Sequence, residues 1–197
     1  YFMESNNTFS IIANVIKNRR TIKPGMMNGQ KIPNSHIAAL LELADWAPTH
    51  GLTEPWRFVV YENPHQFASQ HAELYQRCNT AETFNQLTFN NLANQGNNVS
   101  HVIVAVMQRG DLPKIPPMEE MAATASAVQN ILLGATALNI ASFWSTGGMA
   151  LRDGMKDWLQ LRDEDQVMGI LYLGYSDEHP EGKRKVPIAE KVKWIAG

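Results

Sequence analysis

The sequence has only one cysteine and no long apolar run, and both absences narrow what the protein can be. Cys78 alone among 197 residues excludes an intrachain disulfide and fits a reducing compartment, so we expect a cytoplasmic protein. The longest apolar runs, Val102–Met107 and Ile131–Leu138, are far too short to span a bilayer. Residues 1–10 have neither a basic segment nor an apolar core, so nothing there indicates secretion.

The chain also lacks an excess of charge of either sign. Its formal net charge is −2, from 17 Lys and Arg against 19 Asp and Glu. This balance gives no electrostatic reason to expect nucleic acid or an anionic membrane as a partner. At 197 residues, 44% of them apolar, the chain can bury one sizeable core. No repeat or linker divides it, so we predict one domain over residues 1–197, with a core at 9–174 and a C-terminal arm at 175–197.

Motifs that would give the chain a chemistry of its own are missing as well. No glycine fingerprint for a dinucleotide follows a strand, and no phosphate loop is present. His65 and His71 are six positions apart and fall on different helix faces, which does not favour a metal site. Ser145 lacks the flanking glycines of a nucleophile elbow, and Cys78 has no evident activating neighbour. An enzyme built on this chain would therefore borrow its reactivity from a cofactor.

Apolar patterns predict several helices around a few strands. Helical spacing indicates helices at 10–18, 35–46, 64–78, 118–139 and 151–161, with an irregular, exposed and mobile helix within 80–98. Continuous apolar runs indicate strands at 57–61, 99–107, 140–144 and 167–174. The first of them, Arg57–Tyr61, has the run that is typical of a strand buried on both faces. Because this order is not a regular strand–helix alternation, we predict an α+β or mixed α/β fold with a small sheet.

The long predicted helix Met118–Asn139 is unusually rich in Ala, Ser and Gly. Small side chains along most of a helix let other backbones approach closely. The pattern predicts the central buried helix of the fold, and a helix-pair contact between two subunits is the alternative.

Two basic clusters have the chemistry of a phosphate site. Arg19–Arg20–Thr21 ends the first predicted helix and is followed by Lys23. Guanidinium groups bind phosphate oxygens bidentately, and a hydroxyl adds a neutral donor. The alternative is that the arginines only compensate the helix dipole. Lys183–Arg184–Lys185 is the second cluster, and its alternative is a solvated basic tail.

Two aromatic segments could border a flat ligand. The connector Trp46–Phe58 contains two tryptophans, a histidine, two prolines and a glycine, whereas a plain connector is short and polar. The run Phe143–Gly148 ends a strand with Trp144 and continues into small residues, which let backbone N–H groups approach a ligand. Rigid turns with tryptophans packed in the core are the alternative for both. Together with the basic clusters they describe a site for a flat, phosphorylated ligand.

In order and spacing these motifs resemble the flavin-dependent nitroreductase family, in particular its small bacterial branch of minimal nitroreductase-like proteins. The similarity covers about residues 9–194 and is carried by these motifs: Arg19–Lys23, Ala47–His50 with Glu54–Phe58, Trp144–Gly148 and Leu171–Tyr175. It implies an α+β fold in which helices surround a small mixed sheet. It also implies a homodimer with the long helix at its interface, exchanged C-terminal arms, and two FMN sites built from both chains.

The resemblance implies binding roles for individual residues. The phosphate and ribityl end of FMN would be held by five residues: Arg19, Arg20, Thr21, Lys183 and Lys185. Arg184 could take the place of Lys183, and Thr21 stands where the family usually has serine. Lys23 would approach the N1/O2 edge of the ring, where a cation raises the reduction potential of the flavin.

The ring itself would lie between residues of two subunits. Trp46 and His50 would reach the flavin of the partner subunit. Trp144, Ser145 and Thr146 would line one ring face and offer backbone N–H groups towards N5. Leu52 and Glu54 stand where many relatives have amide side chains, so the resemblance does not assign the pyrimidine contacts.

The implied activity is that of an FMN-dependent NAD(P)H oxidoreductase that reduces nitroaromatic compounds, quinones or related electron-poor acceptors. NAD(P)H and the acceptor would use one pocket in turn, by ping-pong hydride transfer. Protons can come from water, so we predict no catalytic side chain. The alternatives are a flavin-binding or redox-sensing module without turnover, and a protein that binds a phosphorylated ligand without flavin.

Overall fold

Six α-helices and four strands follow one another in the predicted order in the computed structural model, which describes residues 2–195. The helices are α1 Phe2–Asn18, α2 Asn34–Asp45, α3 Pro64–Arg77, α4 Gln86–Asn94, α5 Pro117–Ala137 and α6 Asp153–Trp158. The strands are β1 Trp56–Tyr61, β2 His101–Met107, β3 Ala141–Ser145 and β4 Gln166–Gly174. The first helix starts well before the predicted residue 10, and α6 is shorter than the predicted 151–161. Within the described residues no helix is long and apolar enough to cross a membrane.

The four strands form one sheet in the order β1-β2-β4-β3, and each neighbouring pair is antiparallel. The parallel component expected of a mixed sheet is confined to one bridge, between Thr21 and Ser142 of β3. There the backbone N–H of Ile22 donates to the Ser142 carbonyl at 2.9 Å. The predicted α+β class is confirmed.

The interpretation of β1 as a strand buried on both faces is wrong. Strand β1 lies at the sheet edge, and Val59 and Val60 are 37% and 36% exposed. Every residue of β2, by contrast, is buried. An apolar run cannot tell a central strand from an edge strand, because the strand order is set by pairing with distant segments.

Helices cover both faces of the sheet and divide its core in two. Ile103 and Ala105 of β2 face one cluster, which contains residues of α2 and α5. Val102, Val104 and Val106 face a second cluster, which contains residues of α3 and α6. This alternation is the period of two that a pleated strand imposes.

Helix α5 is the central helix that its small residues predict. A methyl group on Gly134 would lie 2.7 Å from Leu43 Cδ1 and 2.8 Å from Leu40 Cδ2 of α2, so the glycine sets how closely the two helices approach. Near its start, the buried carboxylate of Glu120 pairs with Arg109 and accepts from the Gly110 N–H at 3.1 Å. This pair fixes the preceding loop to the helix.

The segment Thr80–Asn98 contains a short helix and is mostly exposed, as predicted, but it also makes buried contacts. Asn85 caps α4, because its side-chain oxygen accepts from the Thr88 N–H at 2.9 Å. Leu92 is buried, and Gly96 packs directly against the Pro64 carbonyl at the start of α3. The polar composition of the segment did not indicate these contacts, because only one side of the short helix is buried.

A bulge in β4 shapes the end of β3. The register with β2 shifts at Ala105, so that Met168 has no partner and Gly169 adopts a φ of +136°. The indole N–H of Trp144 donates to the Met168 carbonyl at 2.9 Å and the ring lies against Gly169. The bulge therefore determines where Trp144 and the turn after it lie.

We predict that Gly169→Ala destabilises the protein by about 1–3 kcal/mol, the range for strained backbone conformations. The new methyl group would meet the Trp144 ring and lie 2.8 Å from the Ser145 carbonyl oxygen. Denaturant unfolding measures the effect. Gly25→Ala is the control, because nothing lies within 4 Å of the added carbon there. Equal midpoints for the two variants would contradict this account of the bulge.

Candidate functional site

The segment Arg19–Lys23 runs along the open edge of β3. Its anchor is the bridge between Thr21 and Ser142. Lys23, two residues after the bridge, has extended backbone angles (φ −67°, ψ 152°). Two motifs more than 100 residues apart thus share one edge of the sheet.

The turn after β3 presents free backbone donors. Ser145 Oγ accepts from the Gly147 N–H at 3.3 Å, and residues 146–148 are exposed. The N–H groups of Thr146 and Gly148 have no acceptor within the described part of the chain. They can donate to a ligand lying on the turn, as predicted for Thr146, while the half-buried Trp144 is fixed below by its bond to β4.

The turn is held from behind by His71 of α3. The Met149 N–H donates to His71 Nε2 at 3.0 Å, and Gly148 packs against the same imidazole. His71 is 1% exposed, and burial lowers its pKa to about 4. Sequence reasoning considered this residue only as a metal ligand. No sequence signal marks a contact between residues 78 positions apart.

The Arg20 side chain ties the C-terminal arm to the end of α1. Its Nε donates to the Pro180 carbonyl at 3.0 Å, and its Nη1 donates to the carbonyls of Lys17 at 2.6 Å and Arg19 at 2.9 Å. Gly182 lies flat against the guanidinium, with no room for a side chain. A guanidinium has five N–H groups. These bonds use three of them and leave the two on Nη2 for a ligand.

The two basic clusters therefore lie beside each other, because Lys183 follows directly after Gly182. The predicted phosphate ligands Arg19, Lys183 and Lys185, and also Lys23, make no side-chain hydrogen bond or ion pair within residues 7–195. Arg19 is half-buried and the lysines are exposed. Their charges are available to an anion. Within the same residues no group of three or more His, Cys, Asp or Glu side chains could hold a metal.

A cleft of about 780 Å³ lies between α1, the end of α5 and the root of the arm. Its polar lining comes partly from Asn14, Asn18 and Asn139, which sequence reasoning did not select. All three lie near the end of a helix or just beyond it, and no motif marks them. Of the predicted ligands, Arg20 alone lines this cleft.

His50 lies at the opposite end of α5, whereas Trp46 ends α2, whose Leu43 carbonyl accepts from Asn130 in the second half of α5. His50 Nδ1 is 2.6 Å from Glu119 Oε2 in the first turn of that helix, and Trp46 is 81% exposed. Between Glu119 and Thr136, which lines the cleft, a helix rises about 26 Å at 1.5 Å per residue. One subunit therefore does not bring His50 together with Arg20.

Known proteins resemble this chain along most of its length. A family model described as the Nitroreductase family matches residues 16–175. The "Putative NAD(P)H nitroreductase YfhC" of Bacillus subtilis is 28% identical over 196 residues, covering 95% of this chain and 96% of that protein. A solved nitroreductase-like family protein from Bacillus cereus superposes with a TM-score of 0.83 at 29% identity, covering 94% and 96% of the two chains. A nitroreductase with bound FMN from Bacteroides fragilis shares the fold, with a TM-score of 0.65 at 20% identity and coverages of 94% and 98%.

We predict that Arg20→Ala loosens the root of the arm and speeds proteolytic cleavage within residues 176–187. The variant loses the bond to Pro180 and the surface on which Gly182 packs. Limited proteolysis with mass analysis of the fragments measures this. Arg19→Ala is the matched control, because its side chain has no recorded bond to the arm. Equal cleavage rates in both variants would show that Arg20 does not hold the arm.

Proposed function

The chain belongs to the nitroreductase family, and from this we propose that it binds FMN and uses NAD(P)H to reduce nitroaromatic compounds, quinones or related electron-poor acceptors. The fold and family predicted from the sequence are confirmed, and the protein is an NAD(P)H-dependent oxidoreductase. The observation that carries the rest is the bridge between Thr21 and Ser142. It places a cationic segment beside a turn with free backbone donors.

The residues along this edge fit FMN. A phosphate needs cations that are not already paired, and Arg19, Lys183 and Lys185 meet that condition. A flat ring needs a surface with donors at its edge, and the N–H groups of Thr146 and Gly148 supply them. Thr21 is exposed and lies on the segment that joins the cations to the strand before the turn. Its hydroxyl is therefore suitably placed for the ribityl chain. Arg20 would contribute mainly by holding the arm in place.

When bound, FMN supplies the ability to accept electrons from NAD(P)H and to pass them to an acceptor. The chain supplies the electrostatic environment. Lys23, two residues after the bridge to β3, would place a positive charge beside the ring and favour the more negative redox state. Trp144 cannot turn freely, because its indole N–H is bonded to Met168. The ring-facing surface is therefore preorganised.

Within the described residues, no side chain at this edge is arranged as a general acid or base. His71, the histidine nearest the turn, is buried and bonded to the Met149 backbone. We propose that protons come from water and that reductant and acceptor use the exposed face in turn, in a ping-pong cycle. A cytoplasmic location stays a prediction from the single cysteine.

We further propose a homodimer in which each FMN site uses both subunits. Trp46 is largely exposed, and His50 is bonded to Glu119, about 26 Å along α5 from Thr136 in the cleft that Arg20 lines. A second copy running in the opposite direction would bring its Trp46 and His50 to that end. Large apolar side chains are also exposed on α1, at the start of α5 and in the arm: Phe9, Ile11, Ile12, Ile16, Met118, Ile188, Trp194 and Ile195. Exposed apolar surface of this extent marks an interface.

The first test is FMN binding and reduction. We expect FMN titration to show binding, and we expect NADH or NADPH to bleach the flavin absorbance under anaerobic conditions. Arg19→Ala should weaken FMN binding by about 1.5–3 kcal/mol, the range for a hydrogen bond to a charged group. Lys17→Ala is the matched control, since it removes a positive charge from the same helix outside the predicted site.

Each contrary outcome has a distinct meaning. Absence of FMN binding by the unsubstituted protein would refute the proposed function. A yellow protein that neither nicotinamide cofactor bleaches would favour the redox-sensing module. Equal losses of affinity in Arg19→Ala and Lys17→Ala would remove Arg19 from the site.

A mixed-subunit experiment tests the shared site. We expect Arg19→Ala and Trp46→Ala homodimers both to bind FMN weakly. A heterodimer of the two, purified with two tags, should regain one normal site, because one subunit supplies Arg19 and the other supplies Trp46. Heterodimers with no normal site, or a monomer by light scattering that still binds FMN, would contradict the shared arrangement.

A further inference from the structure

The turn that offers its N–H groups to the ring has a support that lies outside the exposed site. Behind Gly148 and Met149 stands the imidazole of His71, which is 1% exposed. Nε2 accepts the Met149 N–H at 3.0 Å, while Nδ1 is buried without a partner within the described residues. A buried histidine with one nitrogen unsatisfied is costly, so its single bond calls for an explanation.

The contacts around the ring allow little freedom. A Cβ on Gly148 would lie 3.0 Å from both His71 Cε1 and Nε2, and 2.9 Å from Leu92 Cδ2 of α4. Gly148 has a φ of +63°, a conformation that glycine adopts without strain. Gly148 thus packs against the imidazole, and the next residue, Met149, is hydrogen-bonded to it.

We propose that His71 is a positioning residue for the flavin-facing turn. By fixing Gly148 and Met149 from behind, it orients the N–H groups of Thr146 and Gly148 towards the ring. This inference rests on the proposed function, because the turn is a binding element only if FMN lies on it. His71 itself would not touch the ligand.

The hydrogen bond specifies the protonation state. A nitrogen that accepts from Met149 must carry a lone pair, so the proton of the neutral ring sits on Nδ1. If Nε2 were protonated, its N–H would face the Met149 N–H. Two donors cannot form a hydrogen bond, so the turn would be released. No charged side chain is among the groups recorded against the ring from α3, α4 or the turn: Phe67, Leu92, Gly148 and Met149. Tyr172 lies beyond Phe67 and donates to Gln95, and burial is the cause of the lowered pKa of His71.

The pH dependence has a definite sign. Burial lowers the pKa of His71 from 6.5 to about 4, so the folded protein keeps a neutral ring. The support of the turn is therefore complete well above pH 4 and is lost as the pH falls through about 4. Global stability declines earlier, as the pH falls from 6.5 to about 4, because the unfolded chain takes up the proton first.

The experiment compares His71→Gln with His71→Leu. Glutamine can place its Oε1 where Nε2 lies and keep the acceptor, whereas leucine cannot. In the protein without FMN, amide hydrogen exchange at Met149 should stay slow in His71→Gln and become faster in His71→Leu. FMN affinity should fall by about tenfold or more in His71→Leu, the loss that follows from one unsatisfied donor, and by less than about threefold in His71→Gln.

His101→Leu is the matched control for lost stability. His101 is also a buried histidine, 2% exposed, and it bonds Ser100 and Asn34 away from the turn. This variant should lower the unfolding midpoint without changing FMN affinity. If both leucine variants lose affinity in proportion to stability, or if Met149 exchange is unchanged in His71→Leu, then His71 does not position the turn.

A pH series covers the case in which His71→Leu does not fold. FMN affinity of the unsubstituted protein should decline relative to His71→Gln as the pH approaches about 4, with folding monitored by circular dichroism at each pH. Titration of the FMN phosphate affects both proteins equally and cancels. Parallel profiles would overturn the inference. Failure of the unsubstituted protein to bind FMN at neutral pH would instead refute the proposed function, and the inference with it.

Discussion

The pairing of Thr21 and Ile22 with Ser142 is the contact on which the arrangement of the candidate site depends. It is a single parallel bridge with one 2.9 Å hydrogen bond, at the outer edge of an otherwise antiparallel sheet. It brings the end of α1 to the strand that leads into the Trp144 turn. Arg20, one residue earlier, then reaches the root of the C-terminal arm. Three segments that are far apart in sequence meet because one edge of β3 accepts a partner.

Helix α5 imposes the second constraint, which is distance. It packs closely on α2 through Gly134 and on the sheet through its buried face, so its length separates the two ends of the subunit rigidly. His50 is fixed near its start by Glu119, and the cleft lies near its end. The same rigidity that makes α5 a good core helix is the basis for our proposal that the site uses a second copy of the chain.

Element order and type could be predicted from local patterns, because periodicity reflects which face of an element is buried. The long helix could be identified from its small residues, and β2 and β4 from their apolar runs. The burial of β1 was mispredicted, and the buried contacts of α4 were not anticipated, because neither depends on local composition. Val59 and Val60 are as apolar as residues of β2, but the strand order places them at the margin. Leu92 lies in a polar segment, yet its contacts with the turn and α3 bury it.

By itself the sequence determined the family, the α+β class and the chemical character of the candidate ligands, because cations, a hydroxyl and aromatic rings are legible in any residue string. Tertiary structure decided which of these groups are already in use. Arg20 is largely committed to backbone carbonyls, whereas Arg19 beside it is not. It also decided that His71, which no motif marks, supports the turn after β3. The physical reason is that a hydrogen-bond partner depends on distance in space, and the chain brings residues 71 and 149 together only by folding.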